Sequence, residues 1–116
     1  MGNLLHAERF AGVNSTLATI TKEAVKNLPF DVTVSEGLRT KETQAQYVAQ
    51  GKSQTMNSKH LTGEAVDLYP IVGGAIDKSK FTDLAAEMKK QASAQSISIK
   101  WGGDWKNFID KPHFQI

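Results

Sequence analysis

Four side chains of suitable chemistry stand at suggestive spacing: His60, Asp67, Asp110 and His113. His60 closes a polar stretch, and Asp67 follows seven residues later across a Gly63 turn, so two potential metal ligands flank one bend. Zinc takes imidazole nitrogen and carboxylate oxygen at about 2.0 to 2.2 Å, and a catalytic site uses three protein ligands with one position left open. His113, in Asp110-Lys111-Pro112-His113-Phe114-Gln115, supplies the third. Pro112 restricts the backbone there, and strand alternation turns His113 and Gln115 to one face. Asp110 lies three residues upstream, close enough to act as a base on water at the metal without ligating it. Each residue alone has an ordinary explanation as a surface or satisfied core group. Together they occupy the two segments most heavily punctuated by Gly and Pro.

Composition narrows the chemistry. The 116 residues contain no cysteine, which excludes disulfides, thiolate zinc sites and thiol nucleophiles, so any metal must be held by His and carboxylate. Fourteen basic and twelve acidic residues give a net charge of +2 without a clustered basic stripe, and nucleic acid is not expected as a partner. The opening stretch to Phe10 carries His6, Glu8 and Arg9 and lacks the apolar core of a secretory signal. The expectation is a single domain over 1–116, monomeric and not inserted in a membrane. It would be made in the cytoplasm and reach any target outside only after release.

The elements that must position these residues can be read from periodicity. Leu17, Ile20, Ala24, Val25 and Leu28 predict an amphipathic helix over Ser15–Leu28, stopped by Pro29. Val32 and Val34 alternate with Thr33 and Ser35 in a strand from Asp31 that ends at Gly37. Thr40 caps a helix from Lys41 to Gln50, and Gly51 to Lys59 reads as an exposed loop. A strand over Ala65–Tyr69 turns at Gly73-Gly74 into Ala75-Ile76. A second long helix runs from Phe81 to Ala92, capped by Asp77 or Ser79. Alternating Ile97, Ile99 and Trp101 and a short strand over Pro112–Ile116 complete the set. Helices segregated from a small antiparallel sheet make an α+β fold. Trp101, Trp105 and Phe114 read as core aromatics ahead of cleft lining, His6 as a surface residue, and Ser58 as a group hydrogen-bonding within the site or an ordinary loop serine.

Ser58-x-His60-x-x-Gly63-x-Ala65-x-Asp67 followed by Asp110-x-x-His113 resembles the LAS-type zinc peptidases, a family of D-Ala-D-Ala carboxypeptidases, dipeptidases and L-alanyl-D-glutamate endopeptidases with a Hedgehog/DD-peptidase-like fold. Ser35-Glu36-Gly37-Leu38-Arg39-Thr40 is similar to the family segment carrying a functional arginine. Trp101-Gly102-Gly103-Asp104-Trp105 looks like the phage endolysin branch. The resemblance implies zinc held by His60, Asp67 and His113, Asp110 as general base and acid, and Arg39 binding substrate or stabilising the oxyanion. Many members place glutamate where this chain has Asp110, and endolysin-like members use aspartate there. The implied activity is hydrolysis of peptidoglycan stem peptides, foremost at the L-Ala-D-Glu bond, in bacterial lysis. A carboxypeptidase or dipeptidase with the same site, and an inactive wall-binding module stabilised by zinc, stand as alternatives. Arg39 merely pairing with Glu36 or Glu42 at the surface is the alternative to its role.

Overall fold

The computed structural model describes residues 2–53 and 55–116; Gln54, within the loop expected from Gly51 to Lys59, lies outside the described residues, as does Met1. Among the described residues six strands and three α-helices follow in the order β1 (Leu4–Leu5), α1 (Ser15–Lys26), β2 (Asp31–Glu36), α2 (Lys41–Ala49), β3 (Ala65–Val72), β4 (Ala75–Ile76), α3 (Phe81–Ala94), β5 (Lys100–Trp101) and β6 (His113–Gln115). The sheet runs β1-β2-β3-β6-β5, with β4 folded back on the far end of β3.

Strand alternation divides the sheet into two unlike faces. Val32, Val34, Val66, Leu68 and Phe114 are buried on one side, where they join Leu17, Ile20 and Ala24 of α1 and Leu84, Ala85 and Met88 of α3 in one core. Asp67, Tyr69, His113 and Gln115 alternate with them and line a cleft on the other side. With α1 and α3 covering one face, the second is left free for chemistry.

Local chemistry accounts for the boundaries. The Asn14 side chain caps α1 by accepting from the Thr16 and Leu17 amides, and Thr40 caps α2 through the Thr43 amide. Gly73 and Gly74 both have positive φ, 60° and 83°, as the tight turn between β3 and β4 requires. Helix α1 stops at Lys26, two residues before Leu28, although Leu28 stays buried.

Two expectations change. The sheet is antiparallel except at its edge, where β1 pairs parallel with β2; a two-residue strand is too short to show any period. The strand expected from Ile97 starts only at Lys100. Ser96 takes a left-handed φ of 59° as α3 ends, and the Ile97 amide closes that end on the Ala92 carbonyl at 2.9 Å, so it is not free for a ladder. Asp77 does cap, but it caps a short 3-10 turn, Lys78–Lys80, that leads into α3. None of the described helices is long and apolar enough to cross a membrane.

Candidate active site

Three neighbouring strands bring the first elements of the site side by side. In register, Glu36 of β2 stands opposite Asp67 of β3, and Asp67 stands opposite His113 of β6. A bulge between Val34 and Glu36 makes the first pairing possible: Val34 faces Leu68, so an unbulged strand would set Ser35 against Asp67. The extra residue lets both Ser35 and Glu36 line the cleft.

His60 arrives from a 3-10 turn, Lys59–Thr62, capped by the Ser58 hydroxyl, which accepts from the His60 amide at 3.2 Å. Gly63 ends the turn with a φ of 75°, and a Cβ there would lie 2.1 Å from the Gly12 carbonyl oxygen. The position therefore excludes every side chain for two separate reasons.

The ring nitrogens settle which atoms face the centre. His60 Nδ1 lies 2.8 Å from the Gly37 carbonyl oxygen, which can only accept, so Nδ1 carries the proton and Nε2 presents its lone pair. His113 uses the opposite nitrogen: its Nε2–H donates to Gln115 Oε1 at 2.7 Å, so in the neutral ring Nδ1 is free of a proton. These two lone pairs lie 3.2 Å apart, and Asp67 Oδ1 lies 3.1 Å from the first and 3.5 Å from the second. Three acceptor atoms facing one another repel unless a cation sits among them.

A zinc-like ion about 2.0 to 2.2 Å from each ligand, at tetrahedral angles, would hold them roughly 3.3 to 3.6 Å apart. The observed triangle is close to that size. His60, Asp67 and His113 thus form a group that could hold a metal ion, with each imidazole braced from behind by an oxygen.

The electrostatics agree with that requirement. Burial opposes ionisation of Asp67, yet hydrogen bonding and charge from His113 and His60 hold its carboxyl well below the usual carboxylate range. Burial likewise works against a charged His113, but bonds to Asp67 and Gln115 and the charge of Asp67 raise its pKa. A positive charge is favoured between these groups, and a metal ion supplies it in place of a proton.

Asp110 lines the same cleft but is not one of the three converging ligands. Burial, then the nearby Asp67 charge, raise its pKa, against smaller opposing effects of His113, His60 and Arg39. Its backbone is held by Gly102. The Asp110 amide bonds the Gly102 carbonyl at 3.0 Å, and a Cβ on Gly102 would lie 2.1 Å from the Asp110 oxygen. The Trp101 indole donates to the Lys111 carbonyl at 2.7 Å. The Trp101-Gly102 pair therefore braces the loop that carries Asp110.

Arg39 is buried in the cleft wall, its side chain 7% exposed. Its Nε and Nη2 donate to Glu36 Oε1, Nη1 donates to Gln44 Oε1 at 2.7 Å, and Nη2 stands 3.7 Å from Asp67 Oδ2. The expected Glu36 partner is present, but the pair is a clamp beside the ligand set rather than a surface contact. Glu42 takes no part in it.

Several participants escaped the sequence reading. Gln115 was placed on the face of His113, but nothing in its type marked it as the ring's acceptor. Gln44 is fully buried, although it lies in a helix with almost no apolar stripe, where a polar residue carries no signal. Trp105, read as core, lines the cleft with its ring 5.0 Å from that of His113. Trp101 and Phe114 are core residues as expected, and His6 is exposed, beside Glu8.

Known proteins match most or all of the chain. The model of the family described as phage L-alanyl-D-glutamate peptidase covers residues 5–114. The L-alanyl-D-glutamate peptidase of Listeria phage A118 is 38% identical over 123 residues, covering 100% of this chain but only 43% of that protein. The enzyme of the same name from Escherichia phage T5 is 33% identical, covering 84% of this chain and 76% of its own length. The chain thus spans less than half of one of these relatives and about three quarters of the other. The crystal structure of the Serratia marcescens L-Ala D-Glu endopeptidase ChiX superposes with a TM-score of 0.92 at 33% identity, covering 100% of this chain and 90% of that one. Sequence and structure agree, and the chain belongs to the phage L-alanyl-D-glutamate peptidase family.

Proposed function

We propose that this chain is a zinc metallopeptidase that hydrolyses the L-Ala-D-Glu bond of peptidoglycan stem peptides, in the manner of a phage or prophage endolysin. The observation that carries the reading is the convergence of two imidazole lone pairs and one carboxylate oxygen within 3.5 Å of one another, beside a cleft carboxylate with a raised pKa. The relatives, each named for cleavage between L-Ala and D-Glu, support the choice of bond.

His60 Nε2, His113 Nδ1 and Asp67 Oδ1 would hold the zinc. Zinc in such a site polarises a carbonyl and makes water acidic enough to attack near neutral pH. Asp110 receives the proton of the attacking water as the new C–O bond forms, then returns it to the departing amine nitrogen as the C–N bond breaks. Its raised pKa suits both halves of that exchange, because a very weak base would take the proton poorly. Arg39, oriented by Glu36 and Gln44, sets a permanent positive charge beside the ligands, where negative charge develops on the scissile carbonyl oxygen. Ser58 fixes the turn that presents His60. The substrate lies in a cleft of about 800 Å³, and the chain acts as a monomer on the wall after release from the cell in which it is made.

The test is a digest of purified peptidoglycan, with and without chelator, with the new termini identified by mass. New C-terminal L-Ala and N-terminal D-Glu that vanish with chelator and return with zinc are expected. Release of D-Ala would make the chain a carboxypeptidase, and binding without cleavage would make it a zinc-stabilised module.

A further inference from the structure

The cleft has two unlike lips, and strand order places them. Tyr47 of α2 donates to Glu36 of β2 and has Lys52 beside its ring, which sets the segment following α2 on the β2 side, and the segment preceding β6 borders the cleft on the other side of β3. In the segment preceding β6 the lining residues are Trp105, Asn107, Phe108 and Asp110, which include an acid and no cation. Arg39, Lys52 and Lys59, the lining cations other than the histidines, all belong to the opposite side.

Two of those cations are already engaged. Arg39 is clamped by Glu36 and Gln44 and faces Asp67, and Lys59 lies 3.8 Å from Glu64. Lys52 has no carboxylate partner among the described residues. Its ammonium stands 5.6 Å from the centre of the Tyr47 ring, whose face also carries the Arg39 guanidinium at 4.6 Å. An aromatic face holds a cation in place without neutralising it, so the charge stays available to an anion entering the cleft.

The proposed substrate brings such an anion. A glutamyl unit within a chain uses one carboxyl for its linkage and keeps the other ionised, on the amine side of the scissile bond. We propose that Lys52 pairs with this free carboxylate, setting the glutamyl unit on the β2 side of the cleft and selecting stem peptides whose glutamyl carboxylate is not amidated. The inference rests on the peptidase reading above. The uneven charge across the cleft supports it: a carboxylate is drawn toward Lys52 and repelled by Asp110.

The test uses two soluble peptides that differ only at this group, L-Ala-D-Glu with its linkage extended and the same peptide with the free carboxylate converted to carboxamide. The wild-type chain should favour the acid by roughly fivefold in kcat/KM, chiefly through KM, as a partly exposed ion pair allows. Lys52→Met should bring the ratio close to one, Lys52→Arg should restore it, and neither should change Tm, because Lys52 is exposed. Raising ionic strength should shrink the wild-type preference. Equal cutting of both peptides by the wild-type chain, or an undiminished preference in Lys52→Met, overturns the inference alone. Failure to cut either peptide overturns the peptidase reading and the inference with it.

Discussion

The bond between Gln115 and His113 invites the sharpest perturbation, because it would orient one proposed metal ligand without touching the metal. Gln115 Oε1 accepts from His113 Nε2–H at 2.7 Å, and His113 itself is 5% exposed, so water has little access to replace the acceptor. Gln115→Leu keeps the side chain's approximate size and leaves a buried N–H unsatisfied, a loss of about 1 to 3 kcal/mol. It also frees the ring to take the other tautomer, which would put a proton on Nδ1, the atom facing His60 and Asp67. Loss of such an outer partner weakens metal binding about 10- to 100-fold, or roughly 1.4 to 2.7 kcal/mol, the same range as the hydrogen-bond argument. Gln115→Glu keeps an acceptor at the same place and should hold zinc at least as tightly as the wild type. Competition with a chromogenic chelator measures all three affinities. Wild-type zinc affinity in Gln115→Leu would refute the claim that this bond fixes the ligand, and with it the tautomer assignment on which the converging lone pairs rest.

The remaining expectations concern the ligands, the base and its support. His60→Ala, Asp67→Ala and His113→Ala should each lose most of about one bound zinc per chain, measured by metal analysis, because a three-ligand site does not tolerate losing one. Asp110→Asn should keep the zinc and the fold while cleavage falls about 100- to 10,000-fold, and full activity would place the base elsewhere. Because burial and the Asp67 charge raise the Asp110 pKa, its basic form is gained only as pH rises through a value above that of an ordinary aspartate. The acidic limb of kcat/KM should therefore lie above the range set by an ordinary aspartate in the wild type. Gly102→Ala should lower Tm by several degrees and reduce activity, because its Cβ would meet the Asp110 oxygen at 2.1 Å; overpacking of this kind costs about 1 to 3 kcal/mol. An unchanged Tm would mean that the loop carrying Asp110 yields freely.

How much of this was legible in the sequence depended on whether a residue's role followed from its own type or from its neighbours in space. The long helices were legible because Leu17, Ile20 and Ala24, and Leu84, Ala85 and Met88, repeat at the helical period that faces them to one core. The candidate ligands stood out because His and Asp have few roles when set at ligand spacing among Gly and Pro, and the structure brings His60, Asp67 and His113 together as a group that could hold a metal ion. Strand β1 was not legible, since Leu4 and Leu5 owe their pairing to the edge that β2 offers. Nor was the bulge at Ser35, which left no mark in the alternation of Val32 and Val34 yet decides that Glu36 faces Asp67. Gln44, Gln115 and Trp105 belong to the same class: a buried amide or a cleft aromatic acquires its role only from the partner that folding sets beside it. The glycines lie between these cases. Gly63 and Gly102 were visible as punctuation, but their reason is a carbonyl 2.1 Å from where a Cβ would stand, that of Gly12 in one case and Asp110 in the other. The sequence thus displays the atoms that could hold a metal more openly than the atoms that aim them, because a ligand is constrained by its own chemistry and a supporting residue only by geometry.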